Sequence, residues 1–174
     1  GHILITSGKV HSIPTEIQSL VAESWDFPDD MQLSSRKYLP ETREIHLGGA
    51  VLGGTAGNTV MMTGPCSVES EAQLESCAEM CVDLGVKVLR GGAYKPRTSP
   101  YSFQGLGLEG LELLAKMREK YGLAIISEVR DATHIEEVIE HADVIQVGAK
   151  AMYDQGILRR CGAARKPVLI KRGF

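Results

Sequence analysis

The chain has 174 residues, 43% hydrophobic and 24% charged, with a formal net charge of -3. Such a make-up suits a soluble globule, one domain with a sizeable core and room for a small appendage. It excludes a bilayer-spanning helix, since no apolar run is long enough, and it lacks the basic stripe with interleaved aromatics that grips nucleic acid.

The opening GHILITSGKV is too short and broken for a secretory signal. The four cysteines, Cys66, Cys77, Cys81 and Cys161, have neither the density nor the spacing of a disulfide framework or a zinc module. A cytoplasmic protein with reduced thiols is therefore expected.

Residues 1–40 read as an extension, or the remnant of an accessory domain too short to fold alone. Ile3 to Ile5 suits a short strand and Pro14 to Glu23 a short amphipathic helix, but the polar, proline-punctuated SWDFPDDMQLSSRKYLPETR that follows reads as a linker. EIHLGGAVLGGTAGNTVMM then places two short apolar stretches around glycine-rich turns. That pattern predicts a hairpin leading into the first core strand.

From Val60 a regular alternation begins. Apolar runs at 60–63, 86–89, 123–126, 144–147 and 167–170 are strand-sized and lack period-2 alternation, so they predict strands buried on both faces. Helical patterns lie between them. Leu74, Cys77, Ala78 and Cys81 follow a Ser70-x-x-Gln73 capping box and stop at Gly85. Leu113, Leu114, Met117 and Tyr121 line a second helix that Gly122 ends. Ile135, Val138, Ile139 and Ala142 form a third behind Asp131 as N-cap, and Ile157, Leu158 and Cys161 mark a fourth. Cys77 and Cys81, one turn apart on an apolar face, read as core and not as a metal pair.

Repeated strand–helix–strand units demand right-handed crossovers and a parallel sheet. The sheet could be open and doubly wound or belong to a (β/α)8 barrel. Each strand runs into polar chemistry: Gly64-Pro65-Cys66-Ser67, Arg90, Ser127-Glu128, Gly148-Ala149-Lys150 and Lys171-Arg172. A barrel gathers all of its strand ends on one rim, whereas an open sheet uses a single switch point, and no G-x-G-x-x-G follows the first strand. The barrel is favoured, here as a partial barrel of about five parallel strands and four helices over residues 41–174.

The stretch VLRGGAYKPRTSPYSFQGLG, 88–107, carries the densest signal. Arg90, Lys95 and Arg97 converge in one loop whose shape is set by Gly91, Gly92, Pro96 and Pro100. A chain of negative net charge has no general reason to gather three cations there. A small, multiply anionic ligand such as a phosphorylated metabolite supplies one.

GPCSVES at 64–70, LRGGAYKPRTSPYSFQGLG at 89–107, IQVGAK at 145–150 and KPVLIKRGF at 166–174 resemble 3-deoxy-D-arabino-heptulosonate 7-phosphate (DAHP) synthase. The likeness is to its compact form, related to 3-deoxy-D-manno-octulosonate 8-phosphate synthase, over about residues 35–174. It implies a metal-dependent (β/α)8 barrel that condenses phosphoenolpyruvate with erythrose 4-phosphate, releasing phosphate, at the first step of the shikimate pathway to aromatic amino acids. The KPRTS segment favours the four-carbon sugar, since octulosonate enzymes carry a KANRSS-like segment and use arabinose 5-phosphate.

Carried over residue by residue, the resemblance implies that Cys66 is a ligand to a divalent metal of the Mn, Fe, Co or Zn class. Arg90, Lys95, Lys150 and Lys171 would surround phosphoenolpyruvate, and Arg97 with Thr98 and Ser99 would hold the aldose phosphate. Lys95, Glu128 and Lys171 are the catalytic candidates. Glu128 either orients a lysine or a water or pairs as a rim carboxylate with a neighbouring cation. Lys150 departs from the family's arginine, keeping the charge and losing the bidentate fork.

The family's other metal ligands, a histidine, a glutamate and an aspartate, fall on strands beyond the fifth, where this chain has no residues. None of His2, His11, His46, His134 or His141 follows a core strand. The expectation is an incomplete metal site, and, as the alternative to an enzyme, an inactive half-barrel that self-associates through its open edges. A homo-oligomer acting on small molecules, with no nucleic acid and no membrane, is the expected state.

Overall fold

A computed structural model describes residues 2–6, 8, 12–28, 32–95 and 97–173; His11, Pro96 and Phe174 of the motifs above lie outside them. The chain divides into two compact units, Gly1–Glu41 and Thr42–Phe174.

The first unit holds little regular structure. Helix α1 is Thr15–Gln18, shorter than the span read from Pro14 to Glu23, and a 3-10 turn covers Gln32–Ser34. Four residues of helix cannot repay the cost of nucleation without an apolar face to bury, and α1 buries none. Ile3 to Ile5 form no strand and stay exposed, and no strand among the described residues pairs with them. Trp25 meets Tyr38 edge-on at 4.9 Å between ring centroids.

In the second unit β1 (Glu44–Leu47) and β2 (Ala50–Gly53) form the expected antiparallel hairpin, turning at Gly48, whose φ is +56°. Among the described residues five further strands follow: β3 (Met62–Thr63), β4 (Val88–Arg90), β5 (Ala124–Val129), β6 (Val144–Val147) and β7 (Val168–Ile170). Helices α2 (Glu71–Asp83), α3 (Leu108–Tyr121), α4 (Ile135–His141) and α5 (Gln155–Ala163) connect them in turn.

Local signals explain the helix ends. The Ser70 hydroxyl accepts the Gln73 N–H at 3.2 Å, while the Gln73 side chain reaches back to the Glu69 N–H at 3.0 Å. At the other end Gly85, at φ +69°, lets its own N–H reach the Val82 carbonyl and the Val86 N–H reach Cys81, a Schellman closure. Asp131 does not cap α4. His134 holds that position, because the Asp131 carboxylate is already taken by the Thr133 N–H and hydroxyl.

The sheet order is β3-β4-β5-β6-β7, every pair parallel, and this settles the closure. A doubly wound sheet must reverse its strand order somewhere; this one never does, so the connecting helices α2–α5 lie on one face and the sheet is part of a barrel wall. Leu89, Ile125, Ile145 and Val147 pack outward under Leu74, Leu114, Met117 and Val138 of the helices. Val88, Ala124, Ile126 and Val144 pack inward, against Leu47 and Ile45 of the hairpin. Each large aliphatic side chain fully buried this way contributes about 1.5–3 kcal/mol. Burial on both faces holds for β5 and β6 but not for β7, whose Val168 and Ile170 are exposed.

Alternation along the strands now fixes the rim. Two residues beyond the inward Val88, Ile126 and Val144 come Arg90, Glu128 and Gln146, and two beyond Leu169 comes Lys171. The inner face is thus apolar low down and polar at the C-terminal ends of its strands.

Candidate active site

The ends of β3 and β4 are drawn together by glycines. Gly64 has φ +145°, and a Cβ there would overlap the Arg90 carbonyl oxygen. A Cβ on Gly92 would sit 2.7 Å from the Cys66 carbonyl oxygen and 2.7 Å from Lys95 Cδ. The Val68 N–H donates to the Gly92 carbonyl at 3.0 Å. On the β5 side the Ser127 hydroxyl donates to the Gly91 carbonyl at 2.9 Å.

These close approaches put three of the expected side chains in one place. Lys95 is only 7% exposed, its stem lying on Gly92, and its Nζ donates to Cys66 Sγ at 3.4 Å. An Arg90 guanidinium nitrogen donates to the Pro65 carbonyl at 3.3 Å. Lys95, by its hydrogen bond and then by its charge, holds the exposed Cys66 thiol below the ordinary range, with Arg90 adding to it and burial opposing. The cations beside Cys66 thus favour its ionised form.

Glu128, 8% exposed, accepts a hydrogen bond from the buried Gln146 amide. Its partner is neutral, not one of the rim cations. A Cβ on Gly148 would overlap Glu128 Oε1, so glycine there leaves the carboxylate its place.

The remaining candidates stand further out. Arg97 and Thr98 are exposed and Ser99 is half-buried. Arg97 Nε donates to the Phe103 carbonyl at 3.4 Å, and the Ser99 hydroxyl accepts the Tyr101 N–H at 3.3 Å. Lys150 and Lys171 are exposed, and among the described residues neither ammonium has a protein partner. The Lys171 N–H continues the β6–β7 ladder to the Val147 carbonyl at 2.9 Å.

Sequence reasoning passed over Gln146, Ser67 and Tyr94. Gln146 was signalled by a lone polar residue inside VIQV; Ser67 is buried with an unpartnered hydroxyl oxygen beside Cys66. Nothing in the string flagged Tyr94.

A divalent ion needs several donors, and Cys66 offers one. Among the described residues no group of three His, Cys, Asp or Glu side chains gathers to hold a metal. The donors present here do not fit such an ion by themselves.

The family model of the DAHP synthetase I family matches residues 20–174. The chain belongs to the DAHP synthetase I family. The match starts earlier than residue 35, where the motif likeness begins, and so reaches into the first unit. A phospho-2-dehydro-3-deoxyheptonate aldolase of Thermotoga maritima is 48% identical over 143 residues, 82% of this chain and 42% of that protein. A 2-dehydro-3-deoxyphosphooctonate aldolase of Citrifermentans bemidjiense is 32% identical over 139 residues, 76% of this chain and 50% of its own. The crystal structure of the Thermotoga maritima DAHP synthase superposes with a TM-score of 0.75 at 47% identity, covering 80% of this chain and 40% of the other. This DAHP synthetase I chain therefore spans about half the length of the curated relatives it matches. No helix among its described residues is long and apolar enough to cross a membrane.

Proposed function

We propose that these residues form the anion-binding half of a site that condenses phosphoenolpyruvate with erythrose 4-phosphate and releases phosphate. The observation that carries this reading is the Cys66–Lys95–Arg90 cluster at the tips of β3 and β4 in a chain of this family. Phosphoenolpyruvate places a carboxylate and a phosphate close together, and fixed cations are what can hold both while its electron-rich carbon attacks an aldehyde. Arg90 and Lys95 supply the buried part of that field, and Lys150 and Lys171 close it from the outer rim. Arg97, Thr98 and Ser99 take the aldose phosphate. Glu128, held by Gln146, orients the water or lysine that the reaction uses.

Cys66 would give one thiolate to a divalent ion of the Mn, Fe, Co or Zn class. A lone donor does not hold such an ion, so binding of the enol phosphate rests on the cations. The relatives' names divide between heptonate and octonate, and the KPRTS segment supports the former.

Self-association is supported by exposed apolar surface around β7. Val168 and Ile170 are exposed, and an apolar recess of about 140 Å³ between hairpin and sheet is lined by Ile45, Leu47, Met62, Val144 and Leu169 among others. We place this chemistry in the cytoplasm, with the thiols reduced.

Calorimetry with phosphoenolpyruvate, and phosphate release with manganese and either erythrose 4-phosphate or arabinose 5-phosphate, test the reading. Saturable binding without turnover by the 174-residue chain is expected. Condensation at an ordinary enzymatic rate would contradict the half-site.

A further inference from the structure

Lys95 lies over Gly92 with its ammonium on the Cys66 thiol. The residue before it is docked on a different element. Tyr94 is buried, its ring stacked on His134 at 4.1 Å between centroids and 11° between planes. Its hydroxyl donates to the Glu137 carboxylate in the first turn of α4. Burial first, and that hydrogen bond second, push the phenol up to about 12, so it stays a donor across the working range of pH. Gly107 leaves room for the ring, since a Cβ there would already sit 3.3 Å from Tyr94 Cε1.

Tyr94 and Lys95 are consecutive, and they leave the backbone toward different elements. Tyr94 goes to α4; Lys95 folds back over Gly92 to Cys66. The backbone between them is pinned by the Lys95 N–H to the Gln104 carbonyl at 2.8 Å and by the Gly107 N–H to the Ala93 carbonyl at 3.1 Å. These bonds tie the stretch that carries the docked Tyr94 to the point where the Lys95 side chain departs, so a shift of the Tyr94 ring would be passed to Lys95. A lysine has four rotatable bonds, and losing its template disperses the ammonium.

We propose that Tyr94, through its bond to Glu137, is the positioning residue that aims Lys95 into the anion site. The assignment rests on the phosphoenolpyruvate reading above for its ligand, but not for its geometry. It also makes α4, which contributes no candidate ligand-binding side chain, part of the site's support.

The test compares Tyr94→Phe, Glu137→Ala and their double variant with wild type, at a temperature where circular dichroism shows all four folded. Phosphoenolpyruvate affinity should fall about tenfold in each single variant and no further in the double, because one bond is removed in all three. Glu136→Gln, on the same helix but paired with Arg160, controls for loosening of α4 and should leave affinity within about twofold. Crystal structures of wild type and Tyr94→Phe supply the readout that needs no ligand: Lys95 Nζ should leave hydrogen-bonding reach of Cys66 Sγ in the variant. Unchanged affinity in both folded single variants, or Lys95 still on Cys66 in Tyr94→Phe, overturns the assignment. If wild type itself binds no phosphoenolpyruvate, the functional reading fails and the crystal structures alone decide the role of Tyr94.

Discussion

Lys95 Nζ donates to Cys66 Sγ across 3.4 Å, fastening the loop after β4 to the loop after β3. The contact joins residues 29 apart in sequence and sets a cation on the one thiol that stands at the strand tips.

Its first consequence is chemical. Cys66 should react with iodoacetamide at a midpoint pH below the roughly 8.5 of a free thiol, and Lys95→Met should move that midpoint up by removing the dominant stabiliser of the thiolate. Cys81 and Cys161, whose thiols burial pushes the other way, should stay unmodified until the chain unfolds. Mass mapping of the adduct against pH checks both. A midpoint indifferent to Lys95→Met would contradict the contact.

Gly64→Ala should be among the most damaging single-methyl changes in the chain. Its backbone adopts a conformation that L side chains rarely take, and the added Cβ would strike the Arg90 carbonyl, a main-chain atom that cannot swing aside. A loss of about 2–3 kcal/mol is expected in urea unfolding, with β3 parted from β4. A loss under about 0.5 kcal/mol would show that the two strand ends are not held so closely.

Gly148→Ala meets a softer obstacle, the Glu128 carboxylate, but a buried one. About 1–3 kcal/mol should be lost as Glu128 is driven off Gln146. In a Glu128→Ala background the same change should be nearly neutral, since the atom it strikes has gone. Additive losses in that cycle would mean that Gly148 matters for another reason.

Leu114 of α3 packs directly against Gly91, where a Cβ would lie 2.9 Å from its Cδ2. Leu114→Ala should cost about 2–5 kcal/mol in chemical denaturation and lower phosphoenolpyruvate affinity as well, because the cavity lies beneath the turn that leads from Arg90 to Lys95. Loss of stability with affinity untouched would separate the core from the site.

The barrel wall was readable because its signals are local. Ser70, Gln73 and Gly85 bound α2 by bonds within a few residues, and the apolar runs of β5 and β6 follow from burial on both faces. Asp131 misled for an equally local reason, since an Asx turn with Thr133 uses the same carboxylate as a cap would. The N-terminal segments Ile3 to Ile5 and Pro14 to Glu23 had the right pattern but stay largely exposed, and pattern without burial gives little structure.

In the candidate site, Cys66, Arg90 and Lys95 were legible as types in motifs, whereas their meeting was not. It depends on Gly64 and Gly92 permitting two backbones to approach, a property of pairs that a one-dimensional pattern does not contain. Gln146 and Tyr94 escaped for the same reason: each hydrogen-bonds a carboxylate on another element.

On the proposed reading, cations at neighbouring strand tips share one enol phosphate. Isothermal titration of the chain with phosphoenolpyruvate, beside Arg90→Leu, Lys95→Met and Lys171→Met, measures it most directly. Saturable binding with a Kd on the order of millimolar, weakened about tenfold or more by each substitution, is the predicted result. Absence of saturation in wild type, or affinity unmoved by all three substitutions, would contradict it.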